Sequence, residues 1–141
     1  RGDRVVGFDL FPTICDWLGI DSVPAGLEGG SLAELLSGDG HAEVIRENPF
    51  LVFHFPHYQS GEGPHTALIS GNLKVIRFYE TDQLRLFDLS KDIGERQDLS
   101  ARMPAQAKAL DARMKTYLAD VDADMNLHAI PHVSPRAVIF I

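Results

Sequence analysis

The chain has 141 residues, of which 45% are hydrophobic and 23% charged, and its formal net charge is −7 at pH 7. This composition excludes a disordered or collagen-like protein, and the length suits one compact globular domain. The 13 Lys and Arg residues are scattered and outnumbered by 20 Asp and Glu residues, which excludes a basic surface that follows nucleic-acid phosphates. No run approaches the ~20 apolar residues of a membrane-spanning helix. We therefore expect no nucleic acid and no membrane among the partners.

The first predicted helix spans residues 9–18. Asp9 suits its N-cap and Gly19 suits its end. Cys15 is the only cysteine, so it cannot form an internal disulfide, and it recurs at helical spacing with apolar neighbours. A buried, unreactive Cys15 is therefore expected.

A second and shorter helix is predicted over residues 31–37. Ser31 and Glu34 have the spacing of a capping box, and Gly38 suits the end of the helix. Glycine and proline residues between the two helices predict a loop.

From Pro49 onward the apolar residues follow the pattern of short strands. Four runs are predicted as strands, over residues 50–55, 66–70, 73–79 and 84–89. Gly71 and Asn72 alone separate the second and third runs, and both residue types tolerate the positive φ of a tight hairpin. The four runs therefore predict an antiparallel meander.

A long amphipathic helix is predicted over residues 104–122, after the strands. Pro104 suits its first turn, and apolar residues recur at 3.6-residue spacing, with Lys108 and Asp111 outside the apolar stripe. Such a helix is long enough to cover one face of a four-stranded sheet. The apolar residues 137–141 would add a strand or dock against a neighbouring chain. The fold class predicted from these elements is α+β.

Two histidines, His54 and His57, lie at the end of the first predicted strand, on either side of Pro56. An independent metal-dependent hydrolase centred on them is one interpretation, but a metal site usually needs three or four ligands. A substrate-facing position at the rim of the sheet is the other interpretation.

An ordered series of short segments extends from about residue 5 to residue 125. It includes D-L-F-P-T at 9–13, G-G-S-L at 29–32, H-F-P-H-Y at 54–58, G-N-L-K-V-I at 71–76 and L-F-D-L at 86–89. This series resembles the C-terminal region of sulfatases of the arylsulfatase type, in the alkaline phosphatase superfamily.

The resemblance implies that residues 1–48 are the end of a large α/β domain and that residues 49–141 are a C-terminal subdomain. Sulfatases hydrolyse sulfate esters with a formylglycine made from the Cys or Ser of C-x-P-S-R or S-x-P-S-R, beside a calcium ion. Cys15 does not lie in such a motif. We therefore assign no catalytic and no metal-binding residue, and expect the fragment alone to be inactive. Formylglycine and calcium are expected in the parent enzyme, the longer polypeptide that would contain this chain.

The resemblance also implies that this region closes one side of the substrate cleft. The expected substrate-binding residues are His54, His57, Tyr58 and Arg77, because an imidazole can donate to a sulfate or sugar oxygen. Hydrogen bonding within the sheet and loop is the alternative for each histidine. The expected partners are the N-terminal catalytic domain of the same polypeptide and a sulfated small molecule or glycan. A periplasmic or secreted location is suggested.

A noncatalytic interaction module is the alternative function. In that case the sheet edge or residues 137–141 would form a homo-oligomer. This alternative predicts that the domain exposes an apolar patch and that its molecular mass in solution rises with protein concentration.

Overall fold

The computed structural model describes residues 3–38, 43–58 and 63–124. The chain divides into two compact units, Arg1–Pro49 and Phe50–Ile141. The first unit is helical and the second is an antiparallel sheet covered by a helix, which confirms the predicted α+β class. The assignment of residues 1–48 to the end of a larger α/β domain stays a prediction. The apolar segment 137–141 lies outside the described residues.

The first unit contains a 3-10 turn, Gly7–Asp9, and two helices, α1 (Leu10–Trp17) and α2 (Ala33–Ser37). Gly38 ends α2 at a φ of 93°, a left-handed conformation in which any Cβ would be strained. The capping box expected for α2 does not form, because the N-cap is Leu32 instead of Ser31. The Ser31 hydroxyl instead accepts a hydrogen bond from the Ala33 amide at 3.1 Å.

A buried carboxylate lies at the centre of the first unit. Asp9 is fully buried and accepts hydrogen bonds from the backbone amides of Val6 at 2.8 Å and Gly30 at 3.1 Å. The Arg46 guanidinium donates to both carboxylate oxygens, at 2.8 and 2.6 Å. Burial alone would raise the pKa of Asp9, but Arg46 and the two amides lower it below its ordinary value. Asp9 therefore stays charged and joins three separate segments of the unit.

Polar contacts also attach the side of α1 that faces the rest of its unit. The Thr13 hydroxyl donates to the Asp9 carbonyl oxygen at 2.6 Å and accepts from the Leu32 amide at 2.8 Å. The chain passes so closely here that a Cβ on Gly30 would lie 2.2 Å from the carbonyl oxygen of Ile45. Glycine at this position therefore allows the amide to reach Asp9.

The second unit begins with a meander. Its strands are β1 (Phe50–Phe55), β2 (His65–Ser70), β3 (Leu73–Phe78) and β4 (Gln83–Asp88), paired antiparallel in that order. The hairpin expected between β2 and β3 is confirmed, with Gly71 at a φ of 53°. The register places His54 opposite Thr66, and Thr66 opposite Arg77. These three residues therefore form a row across β1, β2 and β3.

The helix α3 (Pro104–Asp120) covers one face of the sheet. The buried residues of this layer are Leu68, Val75, Leu86, Ala107, Met114 and Leu118. Asp111 was predicted to lie outside the apolar stripe of α3, and this was wrong. Its side chain is only 6% exposed and lies on the buried side of the helix, with Ala107, Met114 and Leu118. Neither α3 nor any other described helix is long and apolar enough to cross a membrane.

Candidate functional site

The candidate site lies at the end of the sheet where β1 and β3 finish and β2 and β4 begin. Because β1 and β3 both run antiparallel to β2, their C-terminal ends lie at the same end of the sheet, which is called the site edge below. His54, Thr66 and Arg77 share the face that α3 covers, and Tyr79 follows β3 at the site edge. Two of the four predicted substrate-binding residues, His54 and Arg77, thus belong to one row.

A chain of hydrogen bonds connects three side chains of this edge. The His54 Nδ1 atom lies 2.6 Å from the Thr66 hydroxyl, which lies 2.6 Å from the Tyr79 hydroxyl. The His54 Nε2 atom lies 2.8 Å from the carbonyl oxygen of Asp124, so Nε2 carries the hydrogen and donates it. In the neutral ring Nδ1 then accepts from Thr66, which accepts from Tyr79. Both ring nitrogens of His54 are therefore used within the protein.

Tyr79 is the donor at the start of this chain. Burial raises the pKa of Tyr79, while the hydrogen bond with Thr66 lowers it less. The phenol therefore keeps its proton at neutral pH. The rings of Tyr79 and His54 also meet edge to face, with centroids 6.3 Å apart.

Replacing Thr66 by Val is expected to reduce the free energy of unfolding of the second unit by about 1–3 kcal/mol. Thr66 is fully buried, and the nearly isosteric change leaves a nitrogen of His54 and the Tyr79 hydroxyl without this partner. Urea denaturation followed by circular dichroism measures the change.

Thr116 provides the matched control, because its hydroxyl bonds a helix carbonyl oxygen on the exposed side of α3. Thr116→Val is expected to change the free energy of unfolding by less than about 0.5 kcal/mol. Equal losses for the two variants would contradict the proposed hydrogen-bond chain.

Arg77 is paired with two carboxylates. Its guanidinium donates to both oxygens of Asp111, at 2.5 and 2.7 Å, and also to Asp82. The hydrogen bond with Asp111 raises the pKa of Arg77, although burial lowers it, so the side chain stays charged. On the next turn of α3, the Nζ atom of Lys115 lies 3.1 Å from the Oδ2 atom of Asp111. The positive charge of Arg77 is therefore compensated inside the unit, and its role in substrate binding stays a prediction.

A cleft of about 230 Å3 opens beside this ion pair. Its lining includes Arg77, Tyr79 and Lys115 together with the apolar side chains of Met114 and Leu118. The lining also includes Asp122, and the charges of Arg77 and Lys115 are paired with Asp111. The cleft therefore offers a small number of polar groups on a largely apolar surface.

His57 and Tyr58, the other two predicted residues, follow β1 and are exposed. Glu80, just after β3, hydrogen-bonds the Tyr58 hydroxyl and raises the pKa of Tyr58. The single hydrogen of the Tyr58 hydroxyl is already donated to Glu80, whereas the exposed imidazole of His57 can donate to an oxygen-rich ligand. The structure thus places His57 and Tyr58 on the surface, whereas His54 and Arg77 are hydrogen-bonded within the sheet-and-helix unit.

Sequence reasoning missed Thr66, Tyr79 and Asp111. Thr66 and Tyr79 are recognised only once the register places them beside His54. For Asp111 a signal existed, because it lies four residues after Ala107 and three before Met114, on the buried side of α3.

A metal ion would need several His, Cys, Asp or Glu side chains close together. Within residues 3–38, 43–58 and 63–124, no three His, Cys, Asp or Glu side chains are grouped so that they could hold a metal ion. Cys15 is buried in α1 as expected. The described residues therefore do not fit the calcium and formylglycine centre that the resemblance implies for the parent enzyme.

Residues 1–124 match the family described as N-sulphoglucosamine sulphohydrolase, C-terminal. The chain belongs to this family. It is therefore a sulfatase C-terminal domain, as the motif series predicted, and the match covers both units up to the end of the described residues.

Individual sulfatases are similar to this chain over most of its length. The Delta 4,5-hexuronate-2-O-sulfatase of Bacteroides thetaiotaomicron is 34% identical over 103 residues, which are 72% of this chain and 20% of that protein. The structure of a candidate sulfatase from Bacteroides thetaiotaomicron VPI-5482 is 26% identical to this chain, with a TM-score of 0.67. The match covers 91% of this chain and 27% of that sulfatase chain. A 2-O GAG sulfatase is 26% identical, with a TM-score of 0.65, and the corresponding shares are 87% and 26%. This chain thus spans only a fifth to about a quarter of these relatives.

Proposed function

We propose that this sulfatase domain is the C-terminal part of an enzyme that hydrolyses sulfate esters, and that the end of its sheet closes one side of the substrate cleft. The observation that carries the proposal is the family match over residues 1–124. The exposed side chains of His57 and Tyr58 at the end of β1 support a cleft-facing role for this edge.

A sulfated sugar is the proposed substrate class. The hexuronate-2-O-sulfatase, 34% identical over 103 residues, supports this choice through its name. A sulfate group presents oxygens that accept hydrogen bonds, and an exposed imidazole such as that of His57 donates one and adds positive charge when protonated. His54 would contribute indirectly, because both of its ring nitrogens are bonded within the unit.

The reaction chemistry is proposed to lie outside the described residues. Formylglycine and calcium would belong to the N-terminal catalytic domain of the parent enzyme. The C-terminal domain formed by this chain would close one side of the substrate cleft and support the fold. A periplasmic or secreted location is part of the same proposal. Formation of a homo-oligomer through this domain remains the alternative.

The experiment is to measure sulfate release by the full-length polypeptide that contains this chain. A 2-O-sulfated unsaturated hexuronate and an aryl sulfate serve as substrates, with the matching aryl phosphate as the control. We expect sulfate in amounts equal to the desulfated product, and little phosphate. Phosphate release without sulfate release from either ester would overturn the proposed reaction.

A further inference from the structure

The helix α1 exposes its apolar side. Five large apolar side chains are between 49% and 68% exposed, namely Leu10, Phe11, Ile14 and Trp17 in the helix and Leu18 directly after it. Residues 10, 14, 17 and 18 follow the i, i+4, i+7, i+8 spacing of one helix face, and residue 11 flanks it. We refer to these five residues as the α1 stripe.

The buried residues of α1 are Thr13 and Cys15, which lie outside this stripe. Thr13 is 3% exposed and bonds both the Asp9 carbonyl oxygen and the Leu32 amide. The Asp9 carboxylate, just before α1, is held by Arg46 and Gly30. The usual orientation of an amphipathic helix in a globular protein is therefore reversed in this unit.

The α1 stripe is thus not used to attach the helix to its own unit. Polar contacts fix the position of α1 and leave five large apolar side chains on one surface. A contiguous exposed apolar patch of this kind marks an interface. The stripe itself contains no ionisable side chain, and the nearby Asp16 accepts a hydrogen bond from Ser31 at 2.6 Å. The surface that covers the stripe is therefore expected to be apolar.

The length of the relatives identifies the occupant. This chain spans 20% of the curated relative and 27% and 26% of the two solved sulfatases, and its family is defined as C-terminal. We propose that the α1 stripe docks against the part of the sulfatase polypeptide that precedes this domain, through an apolar surface of that part. This proposal rests on the proposed function in one respect, namely that the chain works as part of a longer sulfatase.

The test compares Ile14→Glu with Ile93→Glu in two forms of the protein, the full-length polypeptide and the 141-residue chain. Both residues are exposed in the chain, at 52% and 83%, but Ile93 lies outside the α1 stripe. We expect Ile14→Glu to lower the Tm of the full-length polypeptide by more than about 5 °C and that of the chain by less than about 1 °C. Ile93→Glu is expected to leave both values unchanged. Ile14→Ala is the milder variant if the glutamate variant does not fold at full length, with a smaller loss again confined to the full-length form.

Equal effects of Ile14→Glu in the two forms, or no effect in either, would overturn the proposal. If the wild-type chain is a dimer in sedimentation experiments, and Ile14→Glu makes it monomeric without changing the Tm of the full-length polypeptide, the occupant is a second copy and the proposal is also wrong. Sulfate release by the wild-type full-length polypeptide is measured separately. If the full-length polypeptide releases sulfate but Ile14→Glu does not change its Tm, the docking proposal alone is refuted. If Ile14→Glu lowers its Tm but the wild type releases no sulfate, the proposed function alone is refuted.

Discussion

Replacing Arg46 by Met is expected to reduce the free energy of unfolding of the first unit by about 3–5 kcal/mol. The variant leaves the Asp9 carboxylate fully buried without the guanidinium that bonds both of its oxygens. The amides of Val6 and Gly30 still donate to this carboxylate, but they carry no net charge to balance it. The loss is therefore expected to reach the range of a broken buried ion pair.

Hydrogen exchange of the Gly30 and Leu32 amides measures this loss within the first unit, because both amides donate to side chains of the affected network. Arg102→Met, at an exposed position, is the control and is expected to leave these exchange rates unchanged. Unaltered protection of the Gly30 amide in Arg46→Met would show that the buried pair does not stabilise the unit.

Replacing Arg77 by Met is expected to reduce the free energy of unfolding of the second unit by a similar amount, about 3–5 kcal/mol. Arg77 and Asp111 connect β3 to α3 through two parallel hydrogen bonds, and their side chains are only 11% and 8% exposed. Arg77→Lys is expected to recover only part of the loss, because an ammonium group cannot reproduce the two-pronged geometry. Urea denaturation measures both variants, with Lys108→Met on the exposed side of α3 as the control. Wild-type stability in Arg77→Met would contradict this account.

The contribution of the Arg77 pair is also expected to depend on pH. Burial raises the pKa of Asp111, but Arg77 and Lys115 together lower it by more. The pKa of Asp111 in the folded protein is therefore below its ordinary value of 3.8. Because the folded-state pKa is the lower one, the pair stabilises the fold above about pH 4 and this stabilisation is lost as the pH falls through the folded-state pKa. The difference in unfolding free energy between wild type and Arg77→Met should therefore be smaller at pH 3 than at pH 7.

The sequence pattern was sufficient to predict the meander and α3, because alternation, turn residues and helical spacing are local signals. It was insufficient for the direction in which α1 faces. The spacing of Ile14 and Leu18 with Cys15 is that of a core helix, yet Cys15 is buried while Ile14 and Leu18 are exposed. Only the contacts of Asp9 and Thr13, which depend on residues 19 to 37 positions away, determine which side of α1 faces its unit.

The candidate site shows the same division between local and distant information. His54 and His57 were recognised from their spacing around Pro56, but the spacing could not distinguish a bonded imidazole from an exposed one. The partner of the His54 Nε2 atom is the carbonyl oxygen of Asp124, 70 positions away. Sequence reasoning could thus locate the edge of the sheet, whereas the hydrogen bonds assign an internal role to His54 and leave His57 available.

The most direct test of the central claim is the kcat/KM of the full-length polypeptide carrying His57→Ala, measured with a sulfated hexuronate. Removing a donor to a charged group costs about 1.5–3 kcal/mol, so kcat/KM is expected to fall by about 10- to 100-fold with no change in Tm. Lys91→Ala, which removes an exposed cation at the opposite end of the sheet, is the matched control and should leave kcat/KM unchanged. A full-length His57→Ala polypeptide with the kcat/KM of the wild type would contradict the claim that this edge of the sheet closes the substrate cleft.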